Sequence, residues 1–231
     1  IENSDVADAK MRIFNKDGTE GRVGGNAVRC VGKYLYEKGI VPRRDMRIET
    51  ARGVNEVKVY SFSGKVNSAS VNLGKAELAG AKIPSVWDEE RIVGKPVTIG
   101  GKDYKITLVN IGNPHCVVFS EKVDAVPLET VGPEFENCEY FPERINVEFI
   151  RVVNKVTIKM RVWERGNGET WSCGTGAAAA VVAAVLGGYC EQDTNVTVKL
   201  RGGDLVVNYH SDGDVELMGN VKTVYEGKLE I

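Results

Sequence analysis

The sequence predicts an α+β fold of two pseudo-symmetric lobes, each a curled, mostly antiparallel sheet around a central helix. Two glycine-rich turns predict the helices: Gly24-Gly25-Asn26 opens one segment, and Cys173–Gly176 opens an alanine- and valine-rich one. In most of the remaining chain, apolar and polar residues alternate in segments of hairpin length, and glycine-containing turns separate these segments. The order of strands, glycine-rich turn, helix and strands occurs twice, which favours two similar lobes.

The two helices are predicted at 26–38 and 174–186. Gly39 and Pro42 end the first helix, and Gly187 and Gly188 end the second. The second segment consists of small apolar residues and is too short to span a bilayer, so it is predicted to be a buried helix.

Strands and lobes follow from the alternating segments and the turns between them. Strands are predicted at 10–15, 46–50, 56–62, 65–73, 96–99, 102–109, 116–119, 146–152, 157–164, 195–200, 205–209, 215–218 and 221–229. The N-terminal lobe is predicted to comprise residues 1–70 with 220–231, and the C-terminal lobe residues 71–219.

Composition excludes several classes of protein. The 231 residues include 30 basic and 32 acidic ones, and this net charge of -2 argues against a nucleic-acid or membrane-surface role. Five cysteines without regular spacing favour reduced thiols in a cytoplasmic protein over disulfides or a zinc site. The chain opens at Ile1 without a methionine, which indicates a processed or truncated product.

The two helix starts predict an anion site with a reactive thiol. The first amides of a helix lack intrahelical partners and carry the positive end of the helix dipole, so two such ends would hold a small anion. Cys173 lies at one of them, where a lowered thiol pKa is expected, and it is predicted to be the most reactive cysteine. The other four are predicted to be small buried apolar residues: Cys30, Cys116, Cys138 and Cys190.

Two further motifs concentrate chemically active side chains. The segment from Glu164-Arg165 to Cys173 brings a charge pair and a thiol to one helix start; the alternative is a tight turn with incidental charges. His115 follows an Asn-Pro turn and is one of only two histidines, so a functional role is favoured over a structural one.

At these motifs the chain resembles the diaminopimelate epimerases, which are amino-acid racemases that act without pyridoxal phosphate. The Glu-Arg-Gly-x-Gly-Glu-Thr segment separates that family from the proline racemases and the phenazine-type isomerases. The motifs that carry the resemblance are Phe14-Asn15…Asp17-Gly18…Glu20, Gly25-Asn26…Arg29-Cys30, Gly112-Asn113-Pro114-His115, Asn146-Val147, Glu164-Arg165-Gly166…Gly168-Glu169-Thr170…Cys173-Gly174-Thr175-Gly176, Leu200-Arg201-Gly202-Gly203 and Val224-Tyr225-Glu226-Gly227.

The resemblance implies a cofactor-independent epimerisation of LL- to meso-diaminopimelate, by a metal-free homodimer of two-lobed subunits with the substrate between the lobes. It implies that Cys173 acts as the thiol acid and base, assisted by His115 and Glu164. The implied ligands of the amino groups are Asn15, Asn113, Asn146, Glu164 and Arg165, and those of the α-carboxylate are the amides of Gly25, Asn26, Gly174 and Thr175.

The chain departs from the family's pattern in two places. The family's other catalytic cysteine immediately precedes the first Gly-Asn, where this chain has Gly24, and Cys30 lies inside the helix, too far along it to substitute. The family also begins with several dozen further residues, so the first lobe is expected to be truncated. Two alternatives therefore stay open: a catalytically silent homologue that binds an amino acid, and a racemase for another amino acid.

Overall fold

A computed structural model describes residues 1–14, 18, 20–21 and 24–227. Within them the helices are α1 (Gly25–Glu37), α2 (Leu128–Glu136) and α3 (Gly174–Leu186). The strands are β1 (Ala9–Lys10), β2 (Asp45–Thr50), β3 (Gly53–Phe62), β4 (Lys65–Lys75), β5 (Lys95–Ile99), β6 (Lys102–Asn110), β7 (Pro114–Phe119), β8 (Asn146–Asn154), β9 (Thr157–Glu164), β10 (Gly168–Thr170), β11 (Asn195–Leu200), β12 (Gly203–Tyr209) and β13 (Asp214–Asn220). Most of the strand pairs are antiparallel, and β1–β2, β7–β8 and β9–β11 are parallel. The predicted α+β fold class is confirmed.

The chain forms two compact units. One comprises Ile1–Val71 with Met218–Ile231, and the other comprises Asn72–Leu217. The chain therefore passes from the first unit to the second inside β4 and returns inside β13.

In the first unit, α1 packs against β2 and β3. Val28 and Leu35 bury the apolar face of the helix. Gly32 lies where α1 comes closest to β3, because a Cβ atom at this position would be 2.8 Å from Cγ1 of Val57. The helix predicted at 26–38 is thus present, and its contact with β3 depends on the absence of a side chain at Gly32.

In the second unit, α3 is a buried helix. All residues from Gly174 to Ala184 are buried, and the helix contacts β6–β9, β11 and β12. A helix that is apolar on every face is stable only when protein surrounds it, and its small side chains allow the strands to come close. The prediction of a buried helix here is confirmed.

The helix α2 has no counterpart in the sequence-based prediction. It is nine residues long and contains Gly132 and Pro133, which are poor signals for a helix. Its place in the unit comes from packing: the ring of Phe135 lies 4.9 Å from that of Tyr104 and 5.6 Å from that of Phe149. Tertiary contacts therefore override weak local propensity.

Two predicted strands are wrong. Of 10–15, only Lys10 belongs to a strand, Met11–Ile13 belong to none, and Asn15 lies outside the described residues. Of 221–229, the described part to Gly227 has no regular structure, although the Val221 amide donates to the carbonyl of Asn67. An alternating pattern becomes a strand only where a neighbouring strand continues its backbone hydrogen bonds, and the described residues 11–13 and 221–227 make single bonds rather than a continuous ladder.

Candidate active site

Strand directions in the second unit bring the predicted site residues to one edge of the sheet. Strands β7 and β8 are parallel, so His115 near the start of β7 lies opposite Asn146 at the start of β8. Strand β9 runs antiparallel to β8, so Glu164 at its end reaches the same edge. The starts of β7 and β8 and the end of β9, which are distant in sequence, therefore lie next to one another, and the sequence alone does not show this.

His115 is fully buried and bonded through both ring nitrogens. Its Nδ1 lies 2.7 Å from Oε1 of Glu148, a residue that is also fully buried. Its Nε2 lies 3.1 Å from Oδ1 of Asn113. Since this amide oxygen only accepts hydrogen bonds, Nε2 carries a proton in this arrangement.

Glu148 is a site residue that the sequence analysis missed. Burial raises the pKa of its carboxyl group, and the nearby charge of Glu164 acts in the same direction, while the contact with His115 opposes both. Among the residues that the structure describes, its Oε2 atom has no hydrogen-bond partner. The only signal for it in the sequence is a charged residue inside the apolar segment of β8, two positions after Asn146.

Cys173 is the N-cap residue of α3. Its Sγ accepts a hydrogen bond from the Gly176 amide at 3.4 Å and lies 3.6 Å from Oγ1 of Thr175. The predicted position at the helix start is therefore observed, and the side chain is oriented back over the first turn.

The lowered pKa expected for the Cys173 thiol at a helix start is wrong for the protein alone, whereas its predicted rank as the most reactive cysteine stays a prediction. Burial raises the pKa of the Cys173 thiol, and the negative charges of Glu164 and Glu148 raise it further. The hydrogen bonds from Gly176 and Thr175 lower it, but by less. The helix start is therefore a weaker influence than burial beside two carboxyl groups.

Glu148 and Cys173 are neighbours at the first turn of α3. A Cβ atom on Gly176 would be 2.7 Å from Oε1 of Glu148 and 3.2 Å from Sγ of Cys173. Only glycine leaves room for both groups at this point. The glycine at the fourth position of Cys-Gly-Thr-Gly thus brings the carboxyl group, the thiol and, through Glu148, the imidazole into one cluster.

Glu164 is the last residue of β9, and Arg165 begins the turn between β9 and β10. Oε1 of Glu164 accepts a short hydrogen bond from the hydroxyl of Thr170. The Arg165 side chain donates to the carbonyl of Glu143 at 2.9 Å, and its backbone N–H donates to Oδ1 of Asn146 at 3.0 Å. Both predicted ligands are half-buried, and each already has a partner in the protein.

Glu136, on α2, fixes this turn and was also missed by the sequence analysis. Its Oε1 accepts from the Gly166 amide at 2.8 Å and from Arg144 at 3.2 Å, and its Oε2 accepts from the indole of Trp163 at 2.7 Å. No sequence motif indicates this role, because it depends on α2, whose position is set by packing.

In the first unit, Gly24 is the N-cap residue of α1, and Gly25 and Asn26 form its first turn. Oδ1 of Asn26 accepts from Arg29 at 2.9 Å, and Arg29 is buried, which lowers its pKa. Asn15, the remaining predicted ligand, lies outside the described residues.

The remaining cysteines differ in exposure. All five are free thiols, and Cys116 and Cys190 are buried as predicted. The prediction is wrong for Cys30, which is exposed on α1, and Cys138 is half-buried. Position on the outer face of an amphipathic helix, which residue type does not show, determines the exposure of Cys30.

The part of the chain that the structure describes contains no cluster of three or more His, Cys, Asp or Glu residues suited to a metal ion. Over the same residues, no helix combines the length and the apolar character needed to cross a membrane.

Solved structures with this fold include an epimerase and a phenazine biosynthesis protein. The hydroxyproline epimerase from Agrobacterium vitis matches with a TM-score of 0.71 at 14% identity, over 95% of this chain and 70% of that one. A phenazine biosynthesis protein of the PhzF family from Bacillus anthracis matches with a TM-score of 0.60 at 17% identity, over 95% and 81%. At these identities the likeness shows the fold alone.

Sequence comparisons extend further. The family model of diaminopimelate epimerase matches residues 1–79 and 107–224. The diaminopimelate epimerase of Pelotomaculum thermopropionicum is 47% identical over 225 residues, which cover 97% of this chain and 80% of that protein. The diaminopimelate epimerase of Methanococcus maripaludis is 43% identical over 229 residues, which cover 99% and 82%. From these matches over nearly its whole length, the chain belongs to the diaminopimelate epimerase family.

Proposed function

We propose that this protein epimerises the α-carbon of an amino acid without a cofactor, and that the reaction is the conversion of LL- to meso-diaminopimelate. The relatives with this name support the substrate. One observation carries the chemistry: the Cys173 thiol caps α3 near two carboxyl groups, and one of these, Glu148, lies 2.7 Å from the buried imidazole of His115. Thiol and imidazole are suitable acids and bases for moving an α-proton.

In this proposal the substrate itself activates Cys173. The pKa of the thiol is raised by burial and by the charges of Glu164 and Glu148, so the thiolate is disfavoured in the free protein. A substrate ammonium group beside Glu164 would offset that negative charge and favour the thiolate. The base would then form when the substrate is bound.

We assign the binding roles in the same way. The side chains of Asn113, Asn146, Glu164 and Arg165 are proposed to bind the amino groups, and the bonds that they already make in the protein would orient them. Gly174 and Thr175 at the start of α3 are proposed to hold the α-carboxylate through their amides, since the first amides of a helix lack intrahelical partners.

For the residues of the first unit the proposal rests on the resemblance. Gly25 and Asn26, in the first turn of α1, are proposed to donate amides to the α-carboxylate in the same manner. Asn15 is proposed as a further ligand of the amino groups.

Gly24 gives weight to a second candidate. The family's other catalytic cysteine corresponds to Gly24, so one face of the α-carbon would lack its thiol. Inversion requires a base on one face and an acid on the other. With Cys173 alone the protein would exchange the α-proton of one stereoisomer and invert it slowly, or would bind an amino acid without inverting it.

Proton NMR in deuterated buffer tests these functions with LL- and meso-diaminopimelate. Loss of the α-proton signal with appearance of the other isomer supports epimerisation. Loss without the other isomer supports exchange on one face. No exchange with diaminopimelate, but exchange with other amino acids, would contradict the proposed substrate, and no exchange with any amino acid would contradict the proposed activity.

A further inference from the structure

The turn between β11 and β12 lies against the segment that leads to Cys173. Its two residues are Arg201 and Gly202, and the Gly202 N–H donates to the carbonyl of Trp171 at 2.8 Å. A Cβ atom on Gly202 would be 2.9 Å from that carbonyl oxygen and 3.3 Å from Cβ of Ser172, so only glycine allows the turn to come this close. The turn thus contacts the two residues that immediately precede the thiol.

An ion pair joins the same turn to β10. Nη1 of Arg201 lies 2.9 Å from Oε1 of Glu169, whose side chain is only 13% exposed. Glu169 also receives two hydrogen bonds from Arg161, at 2.8 and 3.0 Å. Arg161 is itself buried, and its Nη1 donates to the backbone carbonyls of Val123, Asp124 and Val126. Glu169 is therefore held between a fixed guanidinium group and the turn.

The segment 169–173 has little support from the sheet itself. Strand β10 is three residues long, and in the described part of the chain it pairs with β9 alone. A strand this short makes few of the ladder hydrogen bonds that fix a backbone. The contacts with Arg201 and Gly202 therefore hold the segment where its own strand pairing does not.

The same segment carries two groups of the candidate site. The hydroxyl of Thr170 donates the short hydrogen bond to Oε1 of Glu164, and Cys173 is the N-cap residue of α3. A shift of the segment would therefore move the thiol and the hydrogen-bond donor of Glu164 together.

We propose that the Arg201-Gly202 turn positions segment 169–173 and so sets the place of the Cys173 thiol relative to Glu164. Both residues of the turn act through the segment and are therefore positioning residues. With the turn in place, Cys173 is 7% exposed. A displaced turn would open the thiol to water, which removes part of the desolvation that raises the pKa of Cys173 and favours the thiolate.

The alkylation rate of Cys173 tests this without turnover. Gly202→Ala adds a Cβ atom against the Trp171 carbonyl, at a position whose φ lies outside the left-handed region. The matched control is Gly203→Ala, because its φ of +125° strains the same turn, while a Cβ atom there meets nothing within 4 Å among the described residues.

At pH 7 we expect alkylation of Cys173 to be roughly tenfold faster in Gly202→Ala, the effect of one pKa unit on a thiolate fraction, and unchanged in Gly203→Ala. Denaturant unfolding shows that both variants are folded under the labelling conditions. Equal alkylation rates in the two variants would overturn the proposal, because the contact with Trp171 would then have no effect of its own.

Arg201→Gln keeps the proposal testable if the glycine variant does not fold. We expect alkylation of Cys173 to rise about two- to fivefold, the scale of a partly exposed ion pair, and Arg201→Lys, which keeps a donor for Glu169, to restore the slow rate. Loss of a positive charge by itself disfavours a thiolate, so a faster rate reports a displaced thiol. The control is Lys155→Gln, which breaks the exposed ion pair with Glu191 at 3.1 Å. An unchanged rate in Arg201→Gln, or the same rise in Lys155→Gln, would contradict the role of Arg201.

Activity provides a third readout, which rests on the proposed function. In Gly202→Ala we expect the kcat of α-proton exchange with diaminopimelate to fall roughly 10²-fold, because a misplaced base reacts slowly. The KM should change less, since the proposed ligands of the amino groups lie outside segment 169–173. A kcat equal to that of Gly203→Ala would refute the positioning role. If the unmodified protein exchanges no α-proton, the proposed function fails, whereas the alkylation rates still decide whether the turn positions Cys173.

Discussion

The side-chain amide of Asn146 connects the start of β7 to the Arg165 turn: its Oδ1 accepts from the Arg165 backbone N–H at 3.0 Å, and its Nδ2 donates to the carbonyl of Pro114 at 2.7 Å. Asn146 is 5% exposed, so water cannot readily replace it as the hydrogen-bond partner of the Arg165 N–H or of the Pro114 carbonyl. One buried amide therefore sets the spacing between the segment that carries His115 and the turn that carries Glu164.

Asn146→Ala is expected to lower the free energy of unfolding by about 1–3 kcal/mol, because it leaves a buried carbonyl and a partly buried N–H without partners. Denaturant unfolding measures this. The matched control is Asn195→Ala, which removes the exposed bond from Asn208 and should change stability by less than about 0.5 kcal/mol. Equal effects of the two variants would contradict the role given to Asn146.

The exposed Cys30 should be alkylated before the buried Cys173 in the free protein. Alkylation requires the thiolate, and burial beside two carboxyl groups raises the pKa of Cys173. Below that pKa the thiolate fraction rises about tenfold per pH unit, so labelling of Cys173 should accelerate strongly with pH. Pulse alkylation with mass-spectrometric mapping measures both rates, and Cys173 labelled first at neutral pH would refute the expectation.

Cys173→Ser should abolish α-proton exchange, since a hydroxyl is too weak a base. Proton NMR in deuterated buffer measures this exchange.

Arg165→Lys should weaken amino-acid binding and leave the fold largely unchanged. The guanidinium donates to the Glu143 carbonyl at the surface, and Lys loses the planar fork that this bond orients. Isothermal titration and thermal unfolding separate the two effects. A large fall in Tm with unchanged affinity would show that Arg165 serves the fold.

Gly24→Cys should fold and restore inversion. Gly24 has φ -146°, which any residue adopts, and a Cβ atom would be 3.1 Å from Cδ1 of Ile13 and 3.3 Å from Cβ of Ala27, so these apolar neighbours need to move only slightly. An added acid–base group typically contributes about 10²–10⁴-fold in rate. The measurement is inversion relative to α-proton exchange, with Gly24→Ala as the control for the added Cβ. Fast inversion by the unmodified chain would show that another group serves that face.

Glu169→Gln tests a structural ion pair through its pH dependence. Glu169 receives two hydrogen bonds from Arg161, at 2.8 and 3.0 Å, and these lower the pKa of its carboxyl group. A carboxyl group with a lowered folded-state pKa stabilises the protein above its ordinary pKa, and that contribution is lost as the pH falls through the lowered value. The variant should therefore be less stable at pH 7, by about 1–3 kcal/mol. The difference should shrink below the ordinary value of 4.5, and denaturant unfolding at several pH values measures it. A difference independent of pH would contradict the assignment.

The sequence by itself determined the fold class, the two helices that follow glycine-rich turns, most of the strands and the position of Cys173 at a helix start. These features are local, because the alternation of apolar and polar residues, the glycines at turns and the residues that start a helix each act over a few neighbouring positions. The family motifs, which are also local, led to the family that the comparisons show.

Only the tertiary structure decided which groups meet and how they ionise. The parallel pairing of β7 with β8 places Glu148 within reach of His115, and Gly176 admits Glu148 beside Cys173. Burial among these carboxyl groups, rather than the helix dipole, then determines the direction of the Cys173 pKa shift. Desolvation depends on every element packed around a group, so no local pattern in the sequence reports it.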